Sequence, residues 1–263
     1  MIMMNNPKCS TRVGCYNVNG LIRTAERDKS LIPEIKAMCH QHKINIMCIT
    51  ETHINNYEKQ KKAYNFGNGH LFLNSLMNTR KGCKGTAVLH FINNRRKRHL
   101  TNENLIPGIL QWTRFYTRKV PINIITIYAS GRNNERDEED DDNIYFTLIE
   151  LLTRFNDENF VITGDMNINT HNPKSDRDKI WLELLETFQL KEHKSTKHTY
   201  IRREKGKIKK SHPDHIFVSK NITISNETIL PSVTTNDHLP FFVDIELDTT
   251  KSWRTHLSKK SIE

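Results

Sequence analysis

The sequence predicts one α/β domain. Segments with strand-like and helix-like apolar spacing are mixed along the whole chain. The 263 residues suit one such domain or two small ones, and no internal repeat, low-complexity linker or long Pro/Gly/Ser stretch divides them. Hydrophobic residues make up 36% and charged residues 27%, a composition that supports a core and argues against full disorder.

The elements follow in order. Residues 13–18 read as a first strand, stopped by Asn19-Gly20. Residues 30–43 read as a helix with Ser30 as N-cap, Pro33 in the first turn, and Leu31, Ile35, Met38, Cys39 and His42 on one face. The nearly unbroken apolar run 44–50 reads as a buried strand, followed by polar Glu51-Thr52-His53. Strands are predicted at 86–92 and 122–128. An acidic loop, 135–142, leads into a helix over 143–156 with Ile144, Leu148, Leu151, Leu152 and Phe155 inward. A short buried strand at 160–163 stops at Gly164-Asp165. Ser175 with Asp178 forms a capping-box pattern. It starts a helix with Ile180, Trp181, Leu184, Leu185 and Phe188 inward. Residues 199–202 and 214–219 read as two strands of a hairpin around a basic tip near Gly206. In 241–247, Phe241, Val243, Ile245 and Leu247 alternate with Phe242, Asp244 and Glu246, as a half-buried strand does.

Several classes are excluded at this level. No apolar run approaches the ~18 residues of a membrane span. The opening MIMMNNPKCS lacks the apolar core and cleavage site of a secretory signal. The five cysteines (Cys9, Cys15, Cys39, Cys48, Cys83) are odd in number and include no CxxC pair, so neither a disulfide framework nor a zinc ribbon is indicated. A reducing compartment is expected.

The net charge is +10, but it is uneven. Residues 135–142 (ERDEEDDD) hold seven acids and one Arg; setting that −6 aside leaves +16 on the rest. One basic cluster is Arg95, Arg96, Lys97 and Arg98. Another is Arg202, Arg203, Lys205, Lys207, Lys209 and Lys210, broken only by Glu204. Such clusters neutralise phosphates and attract polyanions; equally, a charged run is an ordinary solvated surface.

Strand ends carry the chemistry. Asn17 lies near the end of the first strand, and Glu51 follows the second. Asp165 and Asn167 follow 160–163, Asp214 opens 214–219, and Asp237-His238 precedes the last strand. In α/β sheets, sites form where loops converge beyond strand ends. If these segments converge, they bring together four carboxylates, two carboxamides and an imidazole. Mg²⁺ takes oxygen ligands and usually only one or two protein carboxylates. A protonated His beside an Asp can stabilise charge on a pentavalent phosphorus. No Ser or Cys stands with the set as a nucleophile, and no glycine-rich phosphate loop is present.

The order of these pieces resembles the endonuclease/exonuclease/phosphatase superfamily. The matching segments are Asn17-Val18-Asn19-Gly20-Leu21, Thr50-Glu51-Thr52, Ile127-Tyr128-Ala129, Gly164-Asp165-Met166-Asn167, Asp214-His215-Ile216 and Asn236-Asp237-His238-Leu239-Pro240. The resemblance implies a four-layered α/β sandwich, two mixed sheets face to face with helices outside. Within the superfamily the sequence looks most like the AP-like endonuclease domain of non-LTR (LINE-type) retrotransposons. Asn19 stands where AP repair enzymes usually carry Asp, and 199–219 looks like the retrotransposon hairpin and the strand after it. The tail 251–263 looks like a linker into a longer polyprotein. Residues 1–10 are then a peripheral segment, 11–248 the endonuclease domain and 249–263 the linker.

By that resemblance Glu51 is the principal Mg²⁺ ligand, with Asn17 and Asp237 near the metal; Mn²⁺ can substitute. Asp165 activates the attacking water and Asn167 orients it. His238, buttressed by Asp214, contacts the scissile phosphate, and Tyr128 stabilises the phosphate or leaving oxygen. The implied reaction is hydrolysis of a DNA phosphodiester to 3′-OH and 5′-phosphate, the 3′-OH priming reverse transcription. The implied partners are double-stranded DNA and a reverse transcriptase domain on the same polypeptide, with no membrane. The protein would be made in the cytoplasm and act in the nucleus. The hairpin, with Thr199, Arg202, Arg203, Lys205, Lys207, Lys209 and Lys210, would enter the minor groove and select by DNA shape. Some positions depart from the pattern. Ser130-Gly131 replace Pro-Asn, leaving Asn133 as the candidate displaced phosphate contact. Pro213 precedes Asp214, and Asn236 replaces a Ser. The acidic run is expected to face away from the cleft. An AP repair endonuclease is the first alternative, disfavoured because 219–237 holds no aromatic residue for an abasic-sugar pocket. A phosphoinositide or sphingomyelin phosphodiesterase is the second, and a binder with a degenerate site the third.

Overall fold

The computed structural model describes residues 9–23, 29–56, 58–60, 70–75, 84–91, 100–116, 121–131, 135–192, 197–233 and 236–247. Two six-stranded mixed sheets dominate them. The first runs β15 (Ile222–Ile229), β16 (Phe241–Leu247), β1 (Cys9–Asn17), β4 (Ile46–Thr50), β6 (Thr86–His90), β5 (His70–Asn74). The second runs β11 (Leu190–Glu192), β14 (Asp214–Ser219), β10 (Asn159–Asp165), β9 (Pro121–Tyr128), β8 (Leu110–Tyr116), β7 (Leu100–Ile106). Two short ribbons complete the strands: β2 (Ile22–Arg23) with β3 (Lys29–Ser30), and β12 (Tyr200–Glu204) with β13 (Lys207–Ser211). Helix α1 (Ile32–Gln41) packs on the first sheet; α2 (Glu135–Arg154) and α3 (Asp176–Thr187) pack on the second. This is the four-layered α/β sandwich the resemblance implies.

Three apolar clusters glue the layers. One unites α1 with Tyr16, Met47 and Ile49; another unites α2 and α3 with Ile125, Ile127 and Ile162. The third lies between the sheets and holds Val13, Cys15, Ile46, Cys48, Ile122, Ile124, Val161, Ile216 and Val218. Successive side chains of a strand point to opposite faces, so a residue two positions on points the same way. The inter-sheet face therefore continues from Cys15 to Asn17, from Val161 through Thr163 to Asp165, from Ile124 through Thr126 to Tyr128, and from Ile216 back to Asp214. At one end of the sandwich the interior changes from aliphatic, through buried Thr50, Thr126 and Thr163, to Asn, Asp and Tyr. The candidate site is the polar end of the inter-sheet layer.

Several local expectations are corrected. Leu31, not Ser30, is the N-cap of α1; the Ser30 hydroxyl still accepts from the Ile32 N–H at 3.2 Å. The acidic run is not a loop but the first turns of α2, because acidic side chains favour a helix N-terminus. It does not face away from the cleft end either. The chain enters α2 from β9 just beyond Tyr128, and described Asp140 and Asp141 are paired with Lys84 and Arg177. Arg177 also donates to the Ser130 carbonyl at 2.6 Å, one residue past Ala129. The basic hairpin is β12–β13 with Lys205-Gly206 as its turn, while 214–219 is a strand of the second sheet. Both turn residues have positive φ (48° and 76°), as a two-residue hairpin loop requires. Ile180 is exposed rather than inward. In β16 the predicted alternation holds, but Phe242 packs under α1 and Asp244 is buried against Arg12, so both faces are largely covered. Arg95–Arg98, Asn133, residues 1–8 and the tail from 248 lie outside the described residues.

The Ser175 capping box is present: its hydroxyl accepts from the Asp178 N–H at 3.1 Å, and Asp178 accepts back from the Ser175 N–H at 3.0 Å. Ser175→Ala is expected to cost about 1 kcal/mol of stability, read from the denaturant midpoint.

Candidate active site

Register places the first three side chains. Asp165 on β10 is paired with Tyr128 on β9 and with Asp214 on β14, so the three stand in a row across the second sheet. Opposite them, Asn17 on β1 is paired with Thr50 on β4, and Glu51 follows. The turns after these strands are conformationally demanding. Asn19 (φ 46°), Glu51 (52°), His53 (53°) and Asn167 (50°) are all left-handed, a costly backbone for a residue with a Cβ, least so for Asn. Four such residues at one end of the sandwich mark where the fold sustains strain to aim side chains.

A hydrogen-bond network joins the two sheets. Asn17 Nδ2 donates to Glu51 Oε1 at 3.0 Å and to Asp165 Oδ2 at 2.8 Å. Asn167 Nδ2 donates to Asp165 Oδ1 at 2.9 Å and to the Ala129 carbonyl at 2.9 Å. Gly131 lies against this amide; a Cβ there would fall 2.9 Å from Asn167 Oδ1, which rationalises glycine at a position where the sequence departs from the pattern. His238 Nδ1 is 3.0 Å from Asp214 Oδ2, and its Nε2 is 3.9 Å from Asp165 Oδ2. The buried Thr199 hydroxyl donates to the same Asp214 oxygen at 2.7 Å. Tyr128 hydrogen-bonds Glu51.

The charges are sorted by these contacts. Burial works to raise the Glu51 carboxyl, but hydrogen bonds from His53 and Asn17 prevail and hold it below its ordinary value, so it is ionised. Burial and the neighbouring Asp214 push Asp165 well up, against His238 and Asn17, making it the more basic carboxylate. Burial alone would lower His238; the Asp214 carboxylate, with Asp165 and Glu51, raises it to about 9. A raised His pKa gives stability that is full below the unfolded value, about 6.5, and is lost as pH rises through the folded value. The stability difference between the wild type and His238→Gln in a chelating buffer is therefore expected to shrink between pH 6.5 and about 9. Thermal melts across that range check it.

The expected residues do not all fall together. Asn17, Glu51, Tyr128, Asp165, Asn167, Asp214 and His238 converge. The Asp237 carboxylate is 43% exposed and lies 3.8 Å from Arg202 Nε, on the hairpin side. Asn17 presents its amide nitrogen to the carboxylates because its Oδ1 accepts from the Asn19 N–H at 3.0 Å, an orientation that does not offer oxygen to a metal. Thr199, grouped with the DNA contacts by its place in the hairpin, is fully buried and belongs to the Asp214 network. The basic residues from Arg202 to Lys210 are exposed. Two participants, His53 and Asn236, carry no role in the sequence reading. His53 sits 3.2 Å from Glu51 Oε2. Asn236 donates to the Asn17 carbonyl and accepts from the His238 N–H. Buried His215, on the opposite face of β14 from Asp214, holds Glu192 Oε1 at 2.7 Å outside the site. Period-two continuation of the apolar strands was the signal that singles out Asn17, Tyr128, Asp165 and Asp214 together.

Comparison with known proteins decides the family. The model of the Endonuclease/Exonuclease/phosphatase family matches residues 14–235. The chain belongs to this family. No curated protein sequence matches the chain. Solved structures share the fold of this family member at low identity. The endonuclease domain of TRAS1, a telomere-specific non-LTR retrotransposon, has TM-score 0.68 at 16% identity, covering 90% of this chain and 99% of that one. The AP endonuclease LMAP from Leishmania major has TM-score 0.69 at 13% identity, covering 91% and 88%. A family protein from Bacteroides thetaiotaomicron has TM-score 0.63 at 14% identity, covering 92% and 100%.

Members of the family are hydrolases acting on phosphodiesters and are generally metal-dependent. The residues here fit a divalent cation. Donor atoms of Asp165, Asp214 and His238 lie within 4.8 Å of one another, and Asp214 Oδ1 is buried without a hydrogen-bond partner. Glu51 and Asp165 converge on one amide nitrogen, so a hard cation has carboxylate oxygens available from both sheets.

Proposed function

We propose that the protein is a Mg²⁺-dependent DNA endonuclease that nicks one strand of a duplex, leaving 3′-OH and 5′-phosphate, for target-primed reverse transcription of a non-LTR retrotransposon. The observation that carries the choice of DNA over a lipid headgroup is the root of the basic hairpin. Ile201 N–H donates to the Asp237 carbonyl at 2.8 Å, Leu239 N–H donates to the Thr199 carbonyl at 2.7 Å, and the Tyr200 ring stands edge-on to His238 with centroids 4.9 Å apart. An exposed ribbon carrying six cations is thus built onto the segment that holds His238.

The residues have distinct tasks. Glu51, with Asp165 beside it, would hold the cation, which would supply Lewis-acid stabilisation of the phosphate charge. Asp165, held by the Asn17 and Asn167 amides, takes a proton from the attacking water, oriented by Asn167. The water oxygen bonds phosphorus, the bond to the 3′ oxygen breaks, and that oxygen takes up a proton from solvent to leave as the 3′-OH. Cationic His238, held by Asp214, faces the charge that develops on the phosphoryl oxygens, and the Tyr128 hydroxyl stands beside them. The natural partners would be genomic duplex DNA in the nucleus and a reverse transcriptase domain on the same polypeptide. Among the described residues no helix is long and apolar enough to cross a membrane.

The test is a Mg²⁺-dependent assay on supercoiled plasmid, an abasic oligonucleotide and a phosphoinositide. Plasmid nicking, abolished by chelation and restored by Mg²⁺ or Mn²⁺, is the expected result. Strong preference for the abasic site would make it a repair enzyme instead, and turnover of the lipid alone would overturn both.

A further inference from the structure

The basic hairpin has two chemically different faces. Cross-strand partners of an antiparallel ribbon share a face, and neighbours along each strand alternate. Tyr200, Arg202 and Glu204 therefore share one face with Ser211, Lys209 and Lys207; Ile201 and Arg203 share the other with Lys210 and Ile208. The first face is largely engaged. Tyr200 meets His238, Arg202 bonds Tyr200 and approaches Asp237, and Lys209 pairs with Glu204 at 2.8 Å. On the second face Arg203 and Lys210 have no ion-pair or hydrogen-bond side-chain partner among the described residues. Between them stand Ile208, 55% exposed, and Ile201, 36% exposed. Two of the four exposed large hydrophobics among the described residues thus lie on one face of the most basic ribbon. β-branched residues favour a strand, but strand propensity alone does not require an isoleucine in water between two free cations.

We infer that this outer face is the one that meets DNA, and that Ile208 is a wedge inserted between adjacent base pairs from the minor groove. Aliphatic side chains flanked by Lys and Arg unstack base steps in this way and kink the duplex. Ile208 is placed for it, two residues past the Lys205-Gly206 turn and close to the ribbon tip. Ile201, diagonal to it, backs the wedge. Arg203 and Lys210 neutralise the phosphates on either side, and the duplex, being a polyanion, complements them. Arg202 and Lys209 contribute less, because each already has an acidic or phenolic partner. The cost of unstacking is least at flexible pyrimidine–purine steps, so the wedge supplies a preference for them without any base-edge hydrogen bond.

This inference rests on the DNA-nicking reading, and its test separates the two. T·A-rich duplexes carrying 2-aminopurine at successive steps are titrated with the protein in chelating buffer, and the same duplexes are nicked in Mg²⁺. With wild type, fluorescence is expected to rise about three-fold at one step, where the base is unstacked. Ile208→Thr keeps the β-branch that suits the strand. It should remove the rise and slow nicking about ten-fold, and a mismatch at that step should restore nicking to within about two-fold of wild type. Ile208→Val should keep the rise. Arg203→Ala with Lys210→Ala should lower the slope of log affinity against log salt by about 2. Ile208→Thr should leave that slope unchanged, which shows its ribbon intact. Wild-type binding and nicking with no fluorescence rise at any step, or an unchanged rise in Ile208→Thr, would overturn the wedge and leave the nuclease reading standing. Absence of both DNA binding and plasmid nicking would sink the nuclease reading and the wedge together.

Discussion

Asp165→Ala is expected to slow plasmid nicking by about a thousand-fold, the usual scale for losing a positioned acid–base group, while leaving the melting temperature unchanged or higher. The two halves of this expectation have one cause. Asp165 is a fully buried carboxylate whose pKa is pushed up by burial and by Asp214, so its charged form is held at a cost to folding. Its neighbours show what that cost sustains: Asn17 and Asn167 both donate to it, and His238 stands 3.9 Å away. Removing the carboxylate removes the base and one cation-binding group and relieves a buried repulsion. Single-turnover nicking and a thermal melt on the same preparation check it. Activity within ten-fold of wild type would take Asp165 out of the chemistry. A large fall in melting temperature would recast it as a structural residue.

Gly164→Ala should be the most destabilising single methyl group in the described part of the chain. Gly164 has φ +148°, and a Cβ built there would lie 1.8 Å from the Ile127 carbonyl oxygen of the paired strand. Neither the backbone conformation nor the contact can be relieved by a side-chain rotation, because the obstruction is main chain in the middle of the second sheet. A cost above ~4 kcal/mol is expected, a large part of a typical domain's whole stability. The melting temperature should fall by about 10 °C or more, or the protein should fail to accumulate in soluble form. A melt within about 3 °C of wild type would show that the strand pair can open by more than its hydrogen bonds suggest. Glycine at 164 is thus a packing requirement of the strand that delivers Asp165, and the Gly-Asp pair is one unit: closeness of two backbones, then a carboxylate at the edge of the layer.

Much of the layout was legible in the sequence, and the limits have physical reasons. Apolar runs such as 44–50 and the alternation in 241–247 report burial directly, and burial is what a sandwich of sheets demands of them. The Ser175–Asp178 box was readable because a cap is a local event within four residues. The acidic run of α2 was misread because dense like charge looks like a loop, whereas a helix start with nearby Lys84 and Arg177 accommodates it. The hairpin was misregistered for a different reason. Strand pairing is a non-local choice, and 200–204 had two candidate partners, 207–211 and 214–219. At the site, the convergence of Glu51, Asp165 and His238 could be anticipated only through motif order. The direction in which the Asn17 amide points depends on its bond to Asp165, 148 residues away, as well as on the nearby Asn19 N–H, and the burial of Thr199 under Asp214 depends on packing of the hairpin root. No local pattern encodes those.

The position of β1 has a consequence for how the protein comes into being. β1 is flanked on one side by β4 and on the other by β16, the last described strand, with which it shares seven paired positions from Cys9 to Cys15. A chain leaving the ribosome exposes β1 long before β16 exists, and pairings so distant in sequence form slowly. Until residue 247 has emerged, the strand that carries Asn17 lacks one of its two neighbours. The loop bearing His238, which Asn236 ties to the Asn17 carbonyl, lies in the same late stretch. The two sheets can therefore bring Glu51, Asp165 and His238 into register only after synthesis has passed the whole described region. An interrupted translation product can still set Tyr128, Asp165 and Asp214 in their row across the second sheet, but it lacks His238 and the second neighbour of β1. A chain cut short before His238 is therefore expected to be inert in plasmid nicking, because Asp214 has no imidazole to hold.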